Sequence, residues 1–377
     1  MLAVSKGRLG LLLFVLALLI FPLVTNSTSS AGAKGPEGAV YTLSNSAAGN
    51  SVLVFNRYED GSLSPAGTVA TGGKGLGAGL GSQGAVTLSK DNRWLFAVNA
   101  GDNSVSALKV RDDGLQLVDT VPSNGIRPIS LTVHNDILYV LNAGGSGNIS
   151  GFNLSEKGKL ALIPGSSRPL SGNSVGAAQV SFSPNGKVLV VTEKVTNKID
   201  TYSVDENGQA TGPNVFNAAG VTPFGFAFDG NNRIIVSEAF GGAAGKSATS
   251  SYDVSANGDL QVVSASAPTY QTAACWIVVS KDGKYAYAAN AGSSSVTGYK
   301  VAASSELTLV NADGLTGYTG PSTNPTDEAI SKDGKFIYVL NSGATKIAAF
   351  QTLNNGHLAI IDGASGFPSG TVGLAAR

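Results

Sequence analysis

Two glutamates and an arginine are the residues of this chain best placed to do chemistry. Glu193 and Glu238 each end a short apolar run, Val188-Leu-Val-Val-Thr-Glu193 and Arg233-Ile-Ile-Val-Ser-Glu238. Equivalent runs elsewhere end in asparagine, at Asn45, Asn99, Asn142, Asn290 and Asn341. A carboxylate pair beside Arg127 could hold a cation, a sugar or a carboxylate, or divide the work of general acid and base. An asparagine at a strand end caps the strand or bonds the next turn. The set predicts a ligand site at Arg127, Gln179, Glu193, Glu238, Asn99, Asn142, Asn290, Asn341 and Asp327. Glu193, Glu238 and Arg127 are its candidate catalytic members.

Other constellations fail. The chain has two histidines and one cysteine. His134 and His357 fall in turns, so neither a serine triad nor a histidine metal site is expected. Cys275 lies in an apolar run and reads as a buried, inert thiol. Gly79-Leu-Gly-Ser-Gln-Gly84 matches a dinucleotide fingerprint but precedes a strand rather than opening a helix. No cofactor and no metal is expected. The 25 basic and 25 acidic residues balance, which argues against a nucleic-acid partner.

The elements that position these residues repeat. Leu88-Ser-Lys-Asp-Asn-Arg-Trp-Leu-Phe-Ala-Val-Asn99, Val279-Ser-Lys-Asp-Gly-Lys-Tyr-Ala-Tyr-Ala-Ala-Asn290 and Ile330-Ser-Lys-Asp-Gly-Lys-Phe-Ile-Tyr-Val-Leu-Asn341 align, as does the segment ending at Glu193. The seven marker residues recur every 43 to 54 positions. After each marker comes another β-rich run, and in six copies a glycine turn such as Asp60-Gly61 or Asn207-Gly208. Such dipeptides suit two-residue hairpins because both central residues take positive φ cheaply. Each unit reads as four short strands. A four-stranded sheet has two apolar faces that it cannot bury alone, and a ring of seven buries them all. The fold class is therefore all-β, a seven-bladed β-propeller of four antiparallel strands per blade. The first copy lacks its innermost strand, and Thr371-Val-Gly-Leu-Ala-Ala-Arg377 is expected to supply it and close the ring.

Residues 1–33 stand apart. Lys6 and Arg8, an apolar stretch from Leu11 to Val24, and Ala31-Gly32-Ala33 have the three-part grammar of a secretory signal peptide cleaved after Ala33. The propeller then occupies 38–377. The mature protein is expected to be a secreted or periplasmic, extracytoplasmic monomer with no membrane span.

The Ser-x-Asp/Asn-Gly-Lys turn, the following Tyr-Val-Leu-Asn and the glycine turns resemble the lactonase family of seven-bladed propellers, which includes 6-phosphogluconolactonases and carboxymuconate cyclases. Propellers with Tyr-Val-Thr-Asn repeats are related. The resemblance covers about residues 38–377. It implies a site at the channel mouth, built on a Gly-Pro-Arg-His start to one inner strand and a glutamate ending the next strand. Here the aligned residues are Gly176-Ala177-Ala178-Gln179 and Glu193. Ala178 and Gln179 stand where the arginine and histidine would be.

In a propeller, the loop into the innermost strand and the loop after the second strand open on one face. That face is expected to collect Gln83, Arg127, Gln179, Tyr270, Gln271, Asp327 and Glu328 with the seven markers. The glycine-rich run from Gly72 to Gly84 reads as a flexible loop over the mouth. Two functions follow. One is a binding or interaction module that takes a small molecule, glycan or protein at the channel face. The other is a lactone hydrolase or muconate-type cyclase in which Arg127 holds a carboxylate while Glu193 or Glu238 supplies acid–base chemistry.

Overall fold

In the computed structural model, the described residues are Met1–Ala3 and Gly35–Arg377. The expected signal peptide lies almost wholly outside them. Residues Gly35–Arg377 form one compact unit, a ring of seven antiparallel sheets. None of their helices is long and apolar enough to cross a membrane.

Blade 2 consists of Val86–Leu88, Trp94–Asn99, Ser104–Arg111 and Gly114–Pro122, from the channel outwards. The same order recurs in blade 4 (Ala177–Phe182, Val188–Glu193, Lys198–Val204, Ala210–Asn217) and in blade 5 (Pro223–Phe228, Arg233–Glu238, Ala248–Val254, Leu260–Pro268). Blade 3 starts with Pro128–His134, blade 6 with Ala274–Val279 and blade 7 with Pro325–Ile330. Blade 1 is assembled from both ends of the ring. Gly38–Leu43, Ser51–Arg57 and Leu63–Ala70 are its outer strands, and Val372–Ala376 pairs antiparallel with Gly38–Leu43 as the innermost. The C-terminal strand closes the ring as the sequence predicts.

The core lies between blades rather than within them. One apolar cluster runs from Tyr41 and Val54 of blade 1, through Leu95, Phe96 and Leu108, to Leu138 and Phe152 of blade 3. The repeated tyrosine and the glycine turn explain each other. Tyr139 Oη donates to the Gly208 carbonyl at 2.7 Å, Tyr287 to Gly356 at 3.1 Å and Tyr338 to Gly61 at 2.9 Å. Each bond ties a second strand to the turn of the next blade, and the Tyr338 bond crosses the closure. A Cβ on Gly61 would come within 2.3 Å of the Phe336 ring.

Blade 2 joins its outer strands by a two-residue connection, Asp112–Asp113 between the paired Arg111 and Gly114, but the other five turns differ from the two-residue hairpins expected. In blade 1 the Tyr58 N–H donates to the Ser62 carbonyl, and the Gly61 N–H donates back to Tyr58. Only the glycine has positive φ, at +82°, while Asp60 does not. The loops at Gly158, Gly208, Gly258 and Gly356 repeat this bonding. They are type I turns followed by one left-handed residue, the three-residue alternative to the primed hairpin. The side chain before the glycine thereby avoids the steric cost of positive φ.

Candidate functional site

The markers lie where expected along the strands, at the channel-face ends of the second strands. They are not open to solvent. Asn99, Asn142, Glu193, Glu238, Asn290 and Asn341 are wholly buried, and Asn45 is nearly so. Asn99 is a hub. Its amide donates to Ser104 Oγ (3.1 Å) and Ser106 Oγ (2.8 Å), and its carbonyl accepts from Thr71 Oγ1 (2.7 Å) and Asn50 Nδ2 (3.1 Å). Asn290 donates to Ser295 Oγ and Thr297 Oγ1 in the same way. Asn142 donates to the Ser123 carbonyl, and Asn341 to that of Val339. Asn99, Asn142 and Asn290 tie their strand ends to a neighbouring strand or connection, whereas the Asn341 bond stays within its own strand.

Glu238 takes the equivalent place with donors facing it. Ser250 Oγ donates to Oε1 at 2.5 Å and Ser266 Oγ to Oε2 at 2.8 Å. Burial pushes its carboxyl up, and these bonds and one from the Gly220 N–H pull part of the way back. Glu193 is held more heavily. It accepts from Ser171 N at 3.0 Å, Ser171 Oγ at 2.5 Å and Thr196 Oγ1 at 2.6 Å. Ser171 N also donates to Asp200 Oδ2 at 3.0 Å. Burial, then the hydrogen bond and negative charge shared with Glu193, push Asp200 up to about 8. Asp200 therefore keeps its proton at neutral pH. Sequence reasoning missed Asp200, although the signal was present. Ser106, Ser250 and Thr297 occupy the same place in the third strands of their blades.

The remaining predicted residues separate. Gln179 is spent on the next blade: its Nε2 donates to the Phe226 carbonyl at 2.9 Å and its Oε1 accepts Phe226 N–H at 2.7 Å. Asp327 and Glu328 are buried on the inner strand of blade 7, and burial pushes both carboxyls well up. By register Glu328 matches Leu131, Val180, Phe226 and Ile277 of other blades. Gln271 is half-buried and bonds Ser295 Oγ and the Asp313 carbonyl. Tyr270 and Arg127 are exposed. Among the described residues no group of three or more His, Cys, Asp or Glu could hold a metal ion.

The glycine-rich connection from blade 1 to blade 2 is stapled across the channel. Gln83 Nε2 donates to the Ile277 carbonyl at 2.9 Å, and its Oε1 accepts Ile277 N–H at 3.1 Å, so blade 2's lead-in clasps blade 6. Ser82 Oγ donates to Ile129 O at 2.8 Å, and Trp276 Nε1 donates to Ser82 O at 2.9 Å. A Cβ on Gly225 would meet Gln83 Oε1 at 2.0 Å, which is why this inner strand carries a glycine there. Behind the strap the inner strands line an open cavity of about 300 Å³, bounded in part by Gln83, Gln179 and Glu328.

On this strap rests Lys194, the residue directly after Glu193. Its Nζ lies 4.6 Å above the centre of the Phe224 ring and donates to the Gly81 carbonyl. Phe224 stacks edge-on against Trp276. Burial pushes the amine down to about 8; the neighbouring Cys275 favours its charge and that of Arg127 opposes it. Arg127 is thus close enough to be felt. Its backbone has φ +56° and its N–H is fixed by Asn103 Oδ1 at 2.7 Å. A buried-edge lysine beside an exposed arginine attracts a small anion. Lys194 was missed because a lysine after a strand end reads as solvated; only the strap and Phe224 enclose it.

The sequence profile of the family described as "Lactonase, 7-bladed beta-propeller" matches residues 47–169 and 247–362, more than half of the chain. The unmatched middle holds both glutamate markers and Gln179. Among curated proteins none matches the sequence. Solved structures match the fold closely. A candidate 6-phosphogluconolactonase from Bacteroides fragilis is 20% identical with a TM-score of 0.68, over 93% of this chain and 99% of that one. A periplasmic gluconolactonase from Pseudomonas aeruginosa is 19% identical with a TM-score of 0.68, over 89% and 99%. A Lactobacillus plantarum protein is 17% identical with a TM-score of 0.71, over 90% and 99%.

Proposed function

The chain belongs to the lactonase family of seven-bladed β-propellers, and from that premise we propose that it is an extracytoplasmic binding propeller for a small carboxylate- or phosphate-bearing ligand, held at the channel mouth by Lys194 and Arg127. The observation that carries this reading is Lys194 Nζ, poised between the Phe224 ring and the Gly81 carbonyl with Arg127 nearby. An anion there meets two positive charges in a partly dry setting, where each counts for more than in water. The expected signal peptide and the periplasmic relative favour a place outside the cytoplasm.

The state of the glutamates favours binding over turnover. An acid–base pair must reach the substrate's reacting atoms. Glu193 and Glu238 are enclosed, and their oxygens already accept bonds from serine and threonine. A second reading, lactone hydrolysis, is favoured by one feature. An amine titrating near 8 could take a proton from attacking water.

Calorimetric titration with gluconate and 6-phosphogluconate tests the proposal. Saturable binding is expected, weakened about tenfold or more in Lys194→Met, which is the loss of about 1.4 kcal/mol. Affinity falls as pH rises through about 8, where Lys194 loses its proton. Failure of either anion to bind, or equal binding by Lys194→Met, counts against the proposal.

A further inference from the structure

The two ends of the ring differ in charge. Loops on the channel face carry Lys74, Arg127, Lys194 and Lys246 against only Asp102 and Asp313. Loops on the opposite face carry fourteen acids against nine bases. Both channel-face acids already accept hydrogen bonds from protein donors. Asp102 accepts from Lys74 N at 2.9 Å and Ser104 Oγ at 2.8 Å, and Asp313 accepts from Leu315 N at 3.0 Å. Among the described residues, no ion pair involves any of the four cations.

Apolar exposure follows the same polarity. Ile126, Val195, Val221 and Tyr270 stand out from channel-face loops at 54 %, 69 %, 46 % and 57 % exposure. Leu76 and Leu315 join them, whereas among described residues of the opposite-face loops only Leu353 is a comparably exposed large apolar side chain. Two of these side chains directly neighbour a cation in sequence, as Ile126–Arg127 and Lys194–Val195.

We propose that the channel face docks on an anionic lipid bilayer, with its lysines and arginines over the headgroups and its aliphatic loop tips in the interface. Charge complementarity selects an anionic surface. The interleaved aliphatic tips select lipid among anionic surfaces. They gain by entering the boundary between headgroups and chains, whereas a soluble polyanion gives them nothing to be buried against. The inference is independent of the small-ligand reading, because Lys74, Lys246 and the aliphatic tips take no part in holding that ligand.

Flotation of the full chain with vesicles tests it. Binding is expected to phosphatidylglycerol–phosphatidylcholine vesicles at low salt, with release at high salt and none to phosphatidylcholine alone. Lys74→Ala with Lys246→Ala lowers the affinity about fivefold per residue. Ile126→Ser, Val195→Ser and Val221→Ser together weaken it further, and these exposed changes leave the thermal transition and gluconate binding in place. No binding to the anionic vesicles, equal binding to neutral ones, or wild-type binding by both variants overturns the proposal. So does retention on a soluble sulfated polysaccharide without vesicle binding, which assigns the face to a glycan.

Discussion

Blades 2 and 4 pin the same strand end with different chemistry. In blade 2 an amide, Asn99, faces two serine hydroxyls on the third strand and two donors from the first blade. In blade 4 a carboxyl, Glu193, faces a second carboxyl, Asp200, and is held by Ser171 and Thr196. Blade 5 is intermediate, with a glutamate against serines. Position and burial are shared, so the site is structural in origin. An amide both donates and accepts and so stays neutral. A carboxylate needs every neighbour to donate, and Asp200 meets that need only by keeping a proton.

The largest effect is expected from removing the blade 4 hub. Glu193→Leu leaves the Ser171 and Thr196 hydroxyls without their acceptor and removes the charge that faces Asp200. It should cost about 3–5 kcal/mol, read as a lower urea midpoint. A loss under about 1 kcal/mol would break the comparison, because the hub would then carry no weight. Asn99→Asp in blade 2 supplies a carboxylate where the geometry calls for a donor to two serines. A cost of about 2–3 kcal/mol is expected, and wild-type stability would mean that blade 2 accepts either chemistry.

The same logic extends to the inner strands, with the opposite sign. Glu328 stands where other blades have Leu131, Val180, Phe226 and Ile277, and its buried carboxylate oxygens make no hydrogen bond of good geometry, the Ala289 N–H only partly offsetting their burial. Glu328→Leu should stabilise by about 1–2 kcal/mol. A destabilised variant would show that the acid holds something in place.

The smallest effect at any one pH step is a slope. The Asp200 pKa is raised in the fold, so the folded protein keeps a proton that the unfolded chain releases above its ordinary carboxylate value of 3.8. That contribution to stability is full below about 4 and is lost as pH rises to about 8. One proton gives at most about 1.4 kcal/mol per pH unit. Asp200→Asn should remove this part of the slope in urea melts across pH, and an unchanged slope would place the retained proton on another group.

The blades, their strand order and the C-terminal closure were legible in the sequence because apolar alternation and turn residues are local signals. The hub partners were half legible. Asp200 breaks a column of Ser106, Ser250 and Thr297, yet that column appears only once third strands are aligned in register. Lys194 and the strap were not legible. Ring closure brings Gly81 and Phe224 together across 143 positions of sequence, and no local pattern records it. The enclosure of the glutamates escaped notice for a related reason. A polar residue ending a strand reads as exposed until the next connection is seen to cover it.

The central claim is that Glu193 and Glu238 brace the scaffold while Lys194 meets the ligand. The most direct test is hydrolysis of δ-gluconolactone and muconolactone by the purified protein and by Glu193→Gln, with folding checked by thermal melts. No turnover above the buffer rate is expected in either. Wild-type turnover that collapses in a folded Glu193→Gln would contradict the claim and make the glutamate catalytic.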